Sequence, residues 1–324
     1  MNMKISTICF ILLVFLLAGA VSATTPDNET LKHPADDESH TELKASVISD
    51  DALKASQTTT SSPAKAKVTL KAPDVRMYYK DGKKFTVTVK DQSKKAVKNV
   101  KVKITINGQA YTKTTDSKGK ATVNLNLKSG TYSALTSFQG SSKYEKASIK
   151  STITVKSTVK AGDFSKYYTS KSPYSAKFYD KKGKLLKDAS VKFKINSKTY
   201  SLKTSSKGVA KLNIDLKPGK YTITLTNTPT SESVTKTVTI NSILQTKDMT
   251  VTQKSNSSFT VKVLNSYGKV SPNKKVTLTV NGSTFTVKTN NEGIAAHAIN
   301  LLPGKYTITT QYGGLKNTNT ITVN

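Results

Sequence analysis

The sequence predicts an all-β chain in which one small domain is written three times, after an N-terminal leader and an unstructured stretch. The first sign is a repeated pattern. Thr115-Asp116-Ser117-Lys118-Gly119-Lys120-Ala121 leads through Val123, Leu125 and Leu127 to Gly130-Thr131-Tyr132. The second copy runs from Thr204 through Gly208, Ala210, Leu212, Ile214 and Leu216 to Gly219-Lys220-Tyr221. The third runs from Thr289 through Gly293 and Ala295 to Leu301 and Gly304-Lys305-Tyr306. In each copy the glycines stand 11 residues apart, the tyrosine follows by two, and an asparagine (Asn107, Asn196, Asn281) precedes the first glycine by 12. The copies are offset by 89 and 85 residues, which is the size of whole domains and not of solenoid units.

The second sign is alternation. Residues 85–89, 100–106 and 121–127 place apolar side chains at every other position, the period of a strand with one buried face. The repeats lay out in the same order. The first strand is 68–71, with a loose counterpart near Val251. Next come 85–89, 174–178 and 259–263, then a turn around Lys94, Gly183 and Gly268. Strands 100–106, 191–195 and 276–280 follow, each ending near its asparagine. Short strands hold Tyr111, Tyr200 and Phe285. The glycine turn then leads to strands ending at Leu127, Leu216 and Leu301. Strands 132–135, 221–225 and 306–310 come next, and each repeat closes at 153–155, 238–240 or 321–323. Asp, Asn, Gly, Lys and Ser separate these runs, as turns require.

About seven short strands per repeat, with turn signals every 8 to 12 residues, read as an Ig-like β-sandwich. The expected organisation is a signal peptide (1–23), a disordered acidic then Thr/Ser-rich linker (24–63), and three tandem Ig-like domains (64–157, 158–242, 243–324). Gly119, Gly130, Gly208, Gly219, Gly293 and Gly304 are expected in turns where a Cβ would clash. Tyr132, Tyr221 and Tyr306 are expected to bury their rings and hydrogen-bond their hydroxyls at a sheet corner.

The leader has Lys4 as its positive region, an apolar run at 8–17 and Val21-Ser22-Ala23 before a cleavage point. The run is short of the roughly 20 residues of a membrane span. An uncleaved anchor is the alternative, and it would be the chain's only membrane contact. The single cysteine, Cys9, lies inside this leader. The mature domains would then hold together by core packing without disulfides.

Charge is uneven. Residues 24–63 carry eight acids against three lysines, whereas 64–324 carry 47 basic residues against 12 acids. Such a field attracts polyanions and weakens with salt. Arg76 is the only arginine, and lysine lacks the planar fork that reads bases, so specific nucleic-acid reading is not expected. Lysine on exposed strand faces also serves solubility and edge protection.

Catalytic constellations are not found, and no cofactor or metal is expected. His33 and His40 lie in the linker beside Asp36, Asp37 and Glu38, where they offer at most weak metal binding. His297 stands where the other copies have Val123 and Leu212. Asp116 is matched by Ser205 and Asn290, which suits a turn and not a calcium ligand. No carboxylate is read as recurring in all three repeats, so a Lys–Asn isopeptide bond is not expected. Asn28, Asn256 and Asn281 fit the glycosylation pattern.

The pattern Asn-Gly, Thr-Asp-x-x-Gly-x-Ala, Leu-x-x-Gly-x-Tyr resembles bacterial-type Ig-like repeats, including those of adhesin-like surface proteins of methanogenic archaea. The resemblance covers residues 64–324 and implies a secreted or cell-surface stalk or adhesive module. Tyr78 and Tyr79, echoed by Phe164, Tyr167 and Tyr168, are candidate ligand aromatics; near repeat junctions they equally suit inter-domain packing. The function expected is a non-enzymatic, monomeric, semi-rigid rod that binds anionic cell-wall polymer or host glycan by electrostatics. A specific carbohydrate-binding protein with a defined pocket is the alternative.

Overall fold

In this computed structural model the described residues are 64–324. The expected signal segment, the acidic linker, Asn28, His33 and His40 lie outside them. Within that span the chain forms three β-sandwiches of identical topology, with no helix among the described residues. The first contains β1 (Val68–Lys71), β2 (Val75–Tyr78), β3 (Lys84–Asp91), β4 (Lys101–Ile106), β5 (Gln109–Thr114), β6 (Lys120–Asn124), β7 (Gly130–Phe138) and β8 (Ala147–Lys156). One sheet has the order β1-β3-β6, and the other β2-β8-β7-β4-β5.

The second sandwich repeats this with β9 (Val159–Lys160), β10 (Phe164–Tyr167), β11 (Tyr174–Phe178), β12 (Ser190–Ile195), β13 (Lys198–Lys203), β14 (Val209–Leu212), β15 (Gly219–Asn227) and β16 (Glu232–Asn241). The third uses β17 (Leu244–Gln245), β18 (Met249–Val251), β19 (Ser258–Val263), β20 (Lys275–Val280), β21 (Ser283–Lys288), β22 (Ile294–Ala298), β23 (Gly304–Tyr312) and β24 (Leu315–Val323). This arrangement, with Ser157-Thr158 and Ser242-Ile243 between consecutive sandwiches, is that of tandem Ig-like domains.

Alternation decides which face is buried. Phe85, Val87 and Val89 of β3 point inward, as do Val102, Ile104 and Ile106 of β4. Tyr174, Ala176 and Phe178 with Val191, Phe193 and Ile195 do the same in the second sandwich. Phe259, Val261 and Val263 with Val276, Leu278 and Val280 fill the third. Each large apolar side chain so buried contributes roughly 1.5–3 kcal/mol. Tyr174 keeps its ring in the core and donates its hydroxyl to the Gly162 carbonyl at 2.9 Å. Burial first, with Asp163 adding to it, pushes that phenol up to about 12.

Each sandwich has eight strands, against the seven or so expected, and β9 of the second also goes unnamed in the sequence layout. β2, β10 and β18 run parallel to β8, β16 and β24. Alternation does not reveal them because each is three or four residues long and follows directly on β1, β9 or β17. Val251 consequently belongs to β18, the counterpart of β2; the counterpart of β1 is β17 at Leu244–Gln245. A carboxylate does recur in all three repeats, contrary to expectation. Asp74, Asp163 and Asp248 share the 89 and 85 offsets, and each accepts a backbone N–H from the last strand: Thr152 at 2.7 Å, Thr237 at 2.8 Å and Thr320 at 3.0 Å. The Thr320 bond, then Asn319, holds the Asp248 carboxyl below its ordinary value. All three are exposed, so they pin the parallel strand and are not the buried carboxyl that an isopeptide bond needs.

The repeated motif is a set of local bonds. Thr115, Thr204 and Thr289 are buried, and their hydroxyls accept from the N–H of Val100, Ala189 and Lys274. Asp116 accepts from the N–H groups two and four residues on, at 2.9 and 2.8 Å, and Asn290 does so at 3.1 and 2.9 Å. Ser205 makes the same pair at 3.3 Å. Gly119, Gly208 and Gly293 follow at φ +68°, +69° and +73°. A Cβ there would lie 2.5 Å from the Val89 carbonyl oxygen, 2.8 Å from that of Phe178 and 2.8 Å from that of Val263. The turn therefore presses backbone to backbone on the adjacent strand, which only glycine permits.

Candidate functional site

Tyr132, Tyr221 and Tyr306 are the third residues of β7, β15 and β23, which Gly130, Gly219 and Gly304 open. Their hydroxyls donate to the carbonyls of Lys128, Lys217 and Leu302 at 2.8, 2.8 and 3.0 Å. Their rings are half-buried and lie over Gly130, Gly219 and Gly304. The rings are therefore less enclosed than the sequence suggests, because the sandwich edge leaves one face wet. These hydrogen bonds shape a corner at the start of each strand.

The candidate aromatics divide. Phe164 meets Tyr174 edge-on, with centroids 5.6 Å apart, inside its own sandwich. It matches Val75 and Met249 in position and is a packing residue. Tyr78 and Tyr167 instead reach the following sandwich. The Tyr78 ring lies against Gly183, where a Cβ would fall 2.2 Å from its Cε2, and 5.9 Å from the Tyr179 ring. Tyr167 lies in the same way on Gly268, again at 2.2 Å. Lys94 occupies the matching turn of the first sandwich at φ +61°. That turn accepts a side chain, so glycine in the other two answers to the ring packed on it. Tyr168 packs against the cores of both the second and third sandwiches, and Tyr79 against the first.

The two junctions differ in their polar contacts. At the second, the Lys217 ammonium donates to the Gly314 carbonyl at 2.6 Å and to the Tyr168 hydroxyl at 3.1 Å. At the first, the work passes to Glu232, which is 6% exposed. Its Oε2 accepts from the N–H and the hydroxyl of Thr158, both at 2.6 Å, and its Oε1 accepts from the Ser129 hydroxyl. Asn227, fully buried, donates to the Tyr179 carbonyl at 2.8 Å. Lys182 pairs with Asp81 across the same junction, the one ion pair among the described residues.

Beside Glu232 the first junction opens into a cleft of ≈ 870 Å³. Tyr78 and Tyr79 line it with Lys128, Lys156, Lys160 and Lys236. Sequence reasoning finds the tyrosines but not Glu232 or this lysine set, which comes from both sandwiches. Among the described residues, no three His, Cys, Asp or Glu side chains gather as a metal site needs. No described helix is long and apolar enough to cross a membrane. His297 faces inward at a core position, half-buried, with its ring 4.1 Å from that of Phe285; loss of solvent lowers its pKa from the ordinary histidine value.

No protein-family model matches the chain, and no curated protein does. Among solved structures it is similar to SGBP-B of the Bacteroides ovatus mixed-linkage glucan utilization locus, in complex with a mixed-linkage heptasaccharide (16% identity, 77% of this chain and 65% of that one, TM-score 0.21). The chain thus spans just under two thirds of that protein. It is also similar to the I9-I11 tandem from titin (15% identity, 79% of this chain and 98% of that one, TM-score 0.30). A third is invasin, a bacterial integrin-binding protein (18% identity, 79% and 60%, TM-score 0.24). At these identities and overlaps the likeness bears on no ligand.

Proposed function

We propose that the chain is a non-enzymatic spacer and attachment protein of the cell exterior, holding anionic surface polymers by electrostatics. The observation that supports it is the lysine field. Residues 64–324 carry 47 basic residues against 12 acids, and one ion pair occurs among the described residues. Cations without carboxylate partners are available to a polyanion, and their summed field raises its local concentration. A secretory-type leader and the resemblance of the repeat motif to adhesin-like surface proteins, archaeal ones included, agree with an exterior location. The tyrosine-on-glycine junctions suit a spacer, because each sandwich meets the next through a packed ring.

The test is binding of the full chain to immobilised polygalacturonate as sodium chloride rises. Retention is expected at about 0.05 M salt and loss by about 0.5 M, with log affinity falling linearly against log salt. No retention at the lower concentration, or retention unchanged at the higher, overturns the reading.

A further inference from the structure

We propose that the cleft at the first junction is a site for one short stretch of acidic saccharide, so that the polymer held loosely by the lysine field is gripped at a single place. This rests on the polyanion reading and adds a located site to it. Four lysines line it from separate segments: Lys128 before β7, Lys156 at the end of β8 with its ammonium 5.7 Å from the centre of the Tyr78 ring, Lys160 in β9 and Lys236 in β16. The volume of ≈ 870 Å³ is within the range of about 300–1,000 Å³ that small-ligand sites occupy.

The second junction shows what makes the first different. Lys217 is the counterpart of Lys128, and its ammonium is committed to the Gly314 carbonyl and the Tyr168 hydroxyl. At the first junction Ser129 and Glu232 make the bridging contact instead, and Lys128 lines the cleft.

Glu232 favours a saccharide over a simple anion. Its carboxylate lines the cleft and would repel a bare phosphate or sulfate. Two of its bonds fall on Oε2 and one on Oε1, so Oε1 retains capacity for a further donor. A uronic-acid sugar carries both halves of the match: a carboxylate for the lysines and hydroxyls to donate to Oε1. Tyr79, half-buried and packed against the first core, adds an aromatic side chain to the same wall.

The probe is tri-galacturonic acid, titrated calorimetrically into the full chain at about 0.15 M salt, beside its trimethyl ester and a triglutamate peptide of equal charge. The expected result is one trimer per chain, at least tenfold weaker binding for the ester and the peptide, and at least tenfold loss in the Lys128→Ala/Lys236→Ala double variant. A Lys288→Ala/Lys305→Ala pair in the third sandwich should leave trimer affinity within twofold. Equal losses for both pairs, or equal binding of trimer and triglutamate, would overturn the site. The polygalacturonate titration, run on the same variants, reads the lysine field separately. Polymer retained in a salt-dependent way while the trimer fails to bind removes the site and leaves the general reading; failure of both removes both.

Discussion

Gly119, Gly208 and Gly293 show how one atom decides a turn. A left-handed backbone costs an ordinary residue roughly 1–2 kcal/mol, and at Gly119 the Cβ would also press on the Val89 carbonyl oxygen at 2.5 Å. Gly108 has a similar φ of +76° but open space around it. Gly119→Ala is therefore expected to destabilise the first sandwich by about 2 kcal/mol or more, and Gly108→Ala by about 1. Urea unfolding of the two variants checks this, and equal losses would refute the backbone-contact account. His297 is the other informative residue. Its folded pKa lies below the unfolded value because burial opposes the charged ring. Its share of stability is thus intact above about pH 6.5 and is lost as pH falls through that value toward the folded one. Calorimetric scans at pH 7.5 and 5 should show the third sandwich melting earlier in acid, with the shift reduced in His297→Leu, the residue type found at Leu212. An unchanged shift would place the acid sensitivity elsewhere.

At the scale of elements, the tyrosine at the end of β2 or β10 and the glycine of the next sandwich's turn act as a pair. Gly183→Ala should push the Tyr78 ring from its seat, and Tyr78→Ala should remove the ring. Each is expected to speed tryptic cleavage between Lys156 and Lys160, with the double variant no faster than the faster single, a coupling of order 1 kcal/mol. Lys94→Ala, in the matching turn of the first sandwich, should leave that rate unchanged. Additive effects would mean that ring and glycine do not pack on each other. The sequence displays both members of this pair, but nothing in it says they meet.

For the whole molecule, charge is graded along the array. Residues 64–157 hold 21 basic residues against five acids, 158–242 hold 17 against five, and 243–324 hold nine against two. On β20 the third sandwich has Thr277 and Thr279 where β12 has Lys192 and Lys194. Polymer should therefore engage the first two sandwiches most. Lys101→Gln/Lys103→Gln/Lys150→Gln, on one exposed sheet of the first, is expected to lower the slope of log affinity against log salt by up to about three, one for each ammonium removed from the polymer's reach. The polygalacturonate titration measures it, and an unchanged slope would show that this face does not touch the polymer.

What the sequence by itself determined is everything with a period or a local bond. Two-residue alternation set which faces of β3, β4 and their counterparts are buried, because a strand has only two sides. The Thr-Asp-x-x-Gly motif set its turn, because its bonds span four residues. Asp74, Asp163 and Asp248 were legible in principle from their matched offsets, though their strand partners lie more than 70 residues away. Only the tertiary structure decided the rest. The parallel strands β2, β10 and β18, the seating of Tyr78 and Tyr167, the Glu232 contacts and the four-lysine cleft all bring together residues from distant strands or from two sandwiches. No local period records such meetings, since burial at a junction depends on how one finished domain packs on the next.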